Sequence, residues 1–168
     1  MVDPVALRLV QLCDERGVVL ATAESCTGGM IAAAITDVPG SSVAFDRGFV
    51  TYSNAAKIDM LNVDSATIEE NGAVSSATAE AMALGAIRRS NATMAVSVTG
   101  IAGPGGGSAD KPVGLVYMAI AERGDGEVLV FATRRFEFDA DLGRGGIRSA
   151  TVREALQALT DAVALDRP

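Results

Sequence analysis

The segment Ala23-Glu24-Ser25-Cys26-Thr27-Gly28-Gly29 sets a hydroxyl beside a thiol, after an apolar run and before a helix-like stretch. A strand-to-helix turn holds such groups near unpaired backbone N–H donors, which can bind an anion or stabilise a developing oxyanion. The chain has no histidine, so the usual base for activating a hydroxyl is missing. The base must then be a lysine, a tyrosine or a carboxylate, and the only lysines are Lys57 and Lys111. From the residues alone two readings of the turn stand: Ser25 is a nucleophile, or Ser25 or Thr27 caps the helix while the glycines let it pack closely. Cys26 is the rival nucleophile, because a helix N-terminus would lower the pKa of its thiol. Against that, buried cysteines commonly act as inert core residues, and neighbouring residues at a turn point in different directions.

Lys57 follows Tyr52-Ser53-Asn54 in a chain that uses arginine for nearly all its positive charge. Lysine can lose its proton when buried, whereas arginine effectively cannot. Burial, or a neighbouring cation such as Arg47, would favour the neutral form that a base requires; a solvated helix lysine is the ordinary alternative. The run from Thr99 to Gly107, closed by Lys111-Pro112-Val113-Gly114, is rich enough in glycine for backbone N–H groups to approach a phosphate or carboxylate. It is not a P-loop, since no Gly-Lys-Ser/Thr follows, and a strand rather than a helix comes after it, unlike the dinucleotide fingerprint. A surface loop is the competing reading. Arg144 and Arg148 stand at the start of the last helix, where the dipole disfavours cations. That points one of them toward a ligand, with a salt bridge to Asp139 or Asp141 as the alternative.

These groups need a scaffold. Asp3-Pro4 predicts the start of a helix carrying Val5, Leu9 and Leu12 inward and ending at Gly17. Residues 18–23 read as a strand covered on both faces, and 30–35 as a helix ending before Pro39-Gly40. A second strand is expected over Phe49-Val50-Thr51-Tyr52, then a short helix capped by Ser53 or Asn54 and carrying Lys57, and a turn at Asn71-Gly72. Ser75 or Ser76 opens a helix with Ala79, Met82, Ala83 and Ala86 inward, and 94–99 form a third buried strand. Residues 115–121 and 128–136, joined by Arg123-Gly124-Asp125-Gly126, read as an antiparallel hairpin. A final helix spans 144–165, with Ile147, Ala150, Ala155, Leu156, Leu159 and Val163 as core positions. Alternating strands and helices followed by a hairpin predict a three-layer α/β/α sandwich with a mixed, mostly parallel sheet, as one domain over 1–168.

A length of 168 residues is enough for a full hydrophobic core. The formal charge of −7 argues against a general nucleic-acid or anionic-membrane surface, while leaving room for a local basic pocket. No apolar run approaches the ~20 residues that span a bilayer, and the N-terminus lacks a secretory pattern. Cys13 and Cys26, with no histidine to join them, make no metal-ligand pattern. A reduced, cytoplasmic setting without a structural metal is expected.

Ala23 to Gly29, Gly48-Phe49-Val50-Thr51-Tyr52-Ser53-Asn54 with Lys57, Gly72-Ala73-Val74-Ser75, and Gly100-Ile101-Ala102-Gly103-Pro104 with Lys111-Pro112-Val113-Gly114 together resemble the CinA C-terminal domain family. The resemblance covers nearly the whole chain and matches the stand-alone form of the family. Its characterised members are nicotinamide-nucleotide amidohydrolases. The resemblance implies deamidation of nicotinamide mononucleotide (NMN) to nicotinate mononucleotide and ammonia, with no metal or organic cofactor. It implies Ser25 as nucleophile, Lys57 as its base and Tyr52 as an assisting hydroxyl. Substrate contacts are implied for Thr99, the backbone of Gly100, Ile101, Ala102 and Gly103, and Arg148. The N–H groups of Thr27 and Gly28 would hold the oxyanion. The resemblance and an alanine-rich helix face are compatible with a homodimer. The competing function is a non-catalytic nucleotide-binding module, or a competence- or DNA-damage-associated interaction partner.

Overall fold

The computed structural model describes residues 1–165, so the last three residues of the expected 1–168 domain lie outside the described residues. The helices start where the sequence supplies caps. Asp3 accepts hydrogen bonds from the N–H groups of Val5 and Ala6 and opens α1 (Pro4–Arg16), which Gly17 ends in the left-handed conformation at φ 66°. β1 (Leu20–Glu24) is buried along its whole length and leads to α2 (Met30–Thr36). β2 (Phe45–Val50) follows, then α3 (Asn54–Leu61) capped by Ser53, α4 (Ser65–Asn71) capped by Asp64, and α5 (Ser76–Arg88) capped by Ser75. β3 (Met94–Gly100), β4 (Leu115–Arg123), β5 (Val128–Glu137) and α6 (Gly143–Ala164) complete the chain.

The sheet order is β2-β1-β3-β4-β5. β1 pairs in parallel with β2 and β3, while β3–β4 and β4–β5 are antiparallel. Four of the five strands therefore point one way, and the hairpin turns β4 against them. Alternation along the strands divides the core into two layers. Leu20, Met94, Val96, Val98, Val116, Met118 and Ile120 meet α1, α2 and α6 on one face. Ala21, Ala23, Ala95, Ala119 and Ala121 meet α5 and its neighbours on the other. Small residues on that second face let α5 approach closely, using its own Ala79, Ala83 and Ala86. At Gly85 of α5 an added Cβ would stand 2.1 Å from the Leu61 carbonyl oxygen, so α3 and α5 touch backbone to side-chain position.

Three elements differ from the expectation. The second strand lies at Phe45–Val50 rather than 49–52, and Thr51 and Tyr52 fall beyond its end. β2 is an edge strand, so it tolerates the Asp46-Arg47-Gly48 interruption that hides it in the sequence. α4 was not expected; it buries a single side chain, Ile68, and so carries almost no apolar period. In α6, Ala150 is only half-buried, and Thr151 is buried instead by donating to the Ile147 carbonyl at 2.8 Å. That local bond lets a hydroxyl enter the core without an orphaned donor.

Candidate active site

In a sheet with this strand order the chain leaves β1 toward β2 on one side and returns to β3 on the other. The crevice at the carboxyl ends of β1 and β3 is thus a topological switch point, where open α/β sheets bind ligands. Ser25 is the first residue past β1, and Thr99 lies near the end of β3. The N–H of Ser25 donates to the Val98 carbonyl at 3.0 Å, which fixes the turn to the neighbouring strand. A cavity of about 190 Å³ opens there, its wall including Ser25, Tyr52, Lys57, Thr99 and Arg144.

Lys57 comes from α3 on the opposite face of the sheet and reaches the cavity floor. Its side chain is 1 % exposed, and Nζ donates to Ser25 Oγ at 3.0 Å and to the Thr51 carbonyl at 2.9 Å, with the Tyr52 carbonyl at 3.4 Å. All three partners are neutral, and among the described residues no carboxylate lies within ion-pair range of Nζ. Burial in the absence of a counter-ion lowers the Lys57 pKa below the ordinary lysine value, because the charged form loses its hydration. Arg47, the neighbour suggested as a second cause, is engaged elsewhere. It donates to Asp46 at 2.7 Å and to the Arg89 carbonyl at 3.2 Å, so desolvation carries the effect.

Ser25 is 8 % exposed and sits at the Lys57 end of the cavity. Cys26 touches the cavity wall and also belongs to the core layer under α1, α2 and α6. Burial pushes its thiol up to about 11. Desolvation outweighs the lowering by a backbone hydrogen bond, and α2 begins only four residues later, at Met30. The two candidates thus differ in their surroundings: the Ser25 hydroxyl accepts a hydrogen bond from a buried amine, and burial raises the pKa of the Cys26 thiol.

The turn itself is heavily braced. Thr27 is buried, and its hydroxyl donates to Glu24 rather than facing the cavity. Gly28 and Gly29 take positive φ values of 59° and 98°, which a residue with a side chain rarely adopts. The Gly28 N–H donates to the Ser25 carbonyl at 3.1 Å, so that group is used within the turn, not offered to a ligand. Arg148, expected to contact substrate, is absent from the cavity wall. Its Nε donates to the Cys26 carbonyl and a terminal nitrogen to the Thr27 carbonyl, both at 3.1 Å.

Arg144 is the arginine that faces the opening. One terminal nitrogen donates to the Gly103 carbonyl and the other to the Tyr52 hydroxyl, both at 2.8 Å, and neither Asp139 nor Asp141 pairs with it. Tyr52 is 60 % exposed, at the rim. Thr99 Oγ1 donates to the Ala73 carbonyl, joining β3 to the loop before α5. Gly100 and Ala102 line the cavity; Ile101 and Gly103 stand behind them, Ile101 exchanging backbone hydrogen bonds with Gly114 and Leu115. Lys111 lies outside the cavity, donating to the Asn71 carbonyl at the end of α4, a favourable end for a cation. Asn54 also lines the cavity, and no feature of the sequence singled it out beyond its capping chemistry. Among the described residues no group of three or more His, Cys, Asp or Glu side chains is gathered as a metal ion would need.

Comparison with known proteins places this geometry. The CinA C-terminal domain family model matches residues 2–163. A nicotinamide-nucleotide amidohydrolase PncC of Escherichia coli is 49% identical over 150 residues, covering 89% of this chain and 87% of that protein. A CinA-like protein of Citrifermentans bemidjiense is 52% identical over 152 residues, covering 90% of this chain but 35% of that protein. The chain thus spans about a third of the length of such longer relatives. Among solved structures, the competence/damage inducible protein CihA from Agrobacterium tumefaciens superposes with a TM-score of 0.88 at 52% identity, covering 96% of this chain and 94% of that one. The competence damage-inducible protein A from Klebsiella pneumoniae gives a TM-score of 0.88 at 34% identity, covering 97% of both. The chain belongs to the CinA C-terminal domain family.

Proposed function

We propose that this protein is an amidohydrolase that deamidates NMN to nicotinate mononucleotide and ammonia, with Ser25 as nucleophile and Lys57 as base. The observation that carries the reading is the 3.0 Å hydrogen bond from Lys57 Nζ to Ser25 Oγ, inside a cavity at the switch point of the sheet. Relatives named nicotinamide-nucleotide amidohydrolase supply the substrate class. Neutral Lys57 takes the Ser25 proton as Oγ attacks the carboxamide carbon. The carbonyl oxygen becomes an oxyanion. With the Gly28 N–H already used by Ser25, the Thr27 N–H is the donor of that pair left to meet it. The proton held on Lys57 passes to the amide nitrogen, the C–N bond breaks and ammonia leaves. Water, deprotonated by the same amine, cleaves the ester, frees the acid and restores Ser25.

The remaining side chains of the cavity suit the rest of a mononucleotide. Arg144 brings a cation to the rim, where a phosphate can exchange with the Tyr52 hydroxyl and the Gly103 carbonyl as its partner. Thr99, Gly100 and Ala102 form the wall beside it, and the Tyr52 hydroxyl stays at the rim with Arg144. Arg148 braces the turn from outside this cavity. Arg144 makes the rim locally basic in a chain of net charge −7, which favours a small anionic substrate over nucleic acid.

Ammonia release from NMN by wild type and Ser25→Ala tests the reading. Turnover is expected in the first and not in the second, with the fold of the variant unchanged because, among the described residues, Ser25 Oγ is held only by Lys57. Equal turnover by both would remove Ser25 from the mechanism. Calorimetric binding of NMN without turnover by wild type would support the non-catalytic nucleotide-binding module instead.

A further inference from the structure

Glu24 stands next to Ser25 in the chain but faces the other side of the sheet. It is 1 % exposed, and all its observed partners come from the segment that follows Ser25. Oε1 accepts from the Thr27 hydroxyl at 2.7 Å and from the Ile31 N–H at 2.8 Å; Oε2 accepts from the Ala32 N–H at 3.0 Å. The N-cap position of α2 is Gly29, which has no side chain to bind the first-turn amides. Glu24 does that work from the end of β1, reaching across the turn to two orphan donors of the helix. The result is a ring closed by side-chain bonds around Ser25, Cys26, Thr27, Gly28 and Gly29. From the outside, Arg148 holds the Cys26 and Thr27 carbonyls.

We propose that Glu24 is a positioning residue for the reaction: its three hydrogen bonds set the turn so that Ser25 Oγ meets Lys57 Nζ. Two glycines with positive φ would otherwise leave this segment loose, and a displacement of about 1 Å at a reacting atom can cost on the order of 10²-fold in rate. The inference rests on Ser25 being the nucleophile. Glu24 touches neither Ser25 Oγ nor the cavity wall, so its effect falls on the attack geometry and not on substrate affinity.

Glu24→Gln keeps shape and volume but turns one acceptor into an NH₂ donor facing a backbone N–H. Its kcat for ammonia release from NMN is expected to fall at least tenfold while KM stays within about twofold. Amide hydrogen exchange at Ile31 and Ala32 is expected to speed up, with exchange in β3 unchanged. Thr27→Val, which removes one of the three bonds, is expected to show a smaller fall in kcat of the same kind. Faster exchange at α2 with kcat unchanged would overturn the proposal and leave Glu24 a helix cap alone. Unchanged exchange would overturn it from the structural side. If wild type releases no ammonia from NMN, the amidase reading fails. The 15N shift of Lys57 Nζ in Glu24→Gln then decides the proposal: a shift moved from wild type supports it, and an identical shift overturns it.

Discussion

Lys57→Met removes a buried amine while keeping an unbranched chain of similar length in the same space. Two effects follow, and both are governed by the pKa of one group. A general base supplies about 10²–10⁴-fold in rate, so on the proposed role of Lys57 the variant should lose ammonia release by that factor. On the stability side, wild type donates to the Thr51 and Tyr52 carbonyls, and a methionine cannot. An acceptor left unsatisfied in the interior costs about 1–3 kcal/mol. The folded-state pKa of Lys57 lies below the ordinary 10.5 because burial opposes its charge. Between that lowered value and 10.5 the unfolded chain binds more protons than the folded one, so wild-type stability rises with pH. Above 10.5 both states are neutral at this site and the wild-type advantage is complete. As pH falls below 10.5 the advantage shrinks by at most about 1.4 kcal/mol per pH unit, then becomes constant below the folded pKa. Urea unfolding of wild type and Lys57→Met across pH 7 to 11 measures the gap, and groups common to both proteins cancel. The pH at which the gap flattens should coincide with the midpoint of the acid limb of kcat/KM, since both report the free protein. A gap independent of pH would show that burial does not shift Lys57. An acid limb centred elsewhere would assign the base to a different group.

Cys26 should react slowly with iodoacetamide in the native protein at pH 7.5. A thiol near 11 has roughly 100-fold less thiolate there than one at 9.0, so labelling at the rate of a free cysteine would contradict its burial. Cys26→Ala should retain ammonia release within about fivefold, checked in the same assay as Ser25→Ala. Gly85→Ala, which improves helix propensity by about 1 kcal/mol, should nonetheless destabilise the protein by about 2 kcal/mol or more, because its Cβ would press on the Leu61 carbonyl. A rise in the urea midpoint would mean that α3 and α5 can separate freely.

What could be read from the sequence was what has a local cause. Asp3-Pro4, Ser53 and Ser75 announce helix starts because capping uses a side chain of the residue itself. The buried strands β1 and β3 show as apolar runs, being covered on both faces. β2, a half-exposed edge strand, lacks that run, and α4, with one buried isoleucine, shows no period. In the site, Ser25 and Lys57 were legible through the absence of histidine and the scarcity of lysine. Glu24 was not, since its partners include the amides of Ile31 and Ala32, and a backbone N–H leaves no mark in a sequence. The available signal was a glycine at the N-cap with a carboxylate five residues upstream. Arg144 and Arg148 carry the same signal in the sequence, one turn apart on α6. Only the packing of α6 against the turn decides which guanidinium meets carbonyls there and which reaches the rim.

The order of Glu24 and Ser25 has an electrostatic consequence. A buried carboxylate beside a lysine base would stabilise the ammonium and raise its pKa, which would silence it as a base at neutral pH. The chain nevertheless places a carboxylate immediately before the proposed nucleophile, Ser25. The two-residue period of the strand resolves the conflict by sending adjacent side chains to opposite faces of the sheet. Glu24 faces α2, where Thr27, Ile31 and Ala32 occupy its oxygens. Ser25 faces the amine, whose other contacts are carbonyls without net charge. Shifting the carboxylate to the Lys57 side should therefore abolish the base even with Ser25 intact. Thr51 provides the site: it is fully buried, its hydroxyl makes no hydrogen bond among the described residues, and its carbonyl already accepts from Nζ. Thr51→Asp should move the acid limb of kcat/KM upward, whereas Thr51→Asn, of the same size without the charge, should leave it in place. Equal limbs in the two variants would show that the missing counter-ion is not what keeps Lys57 able to accept a proton.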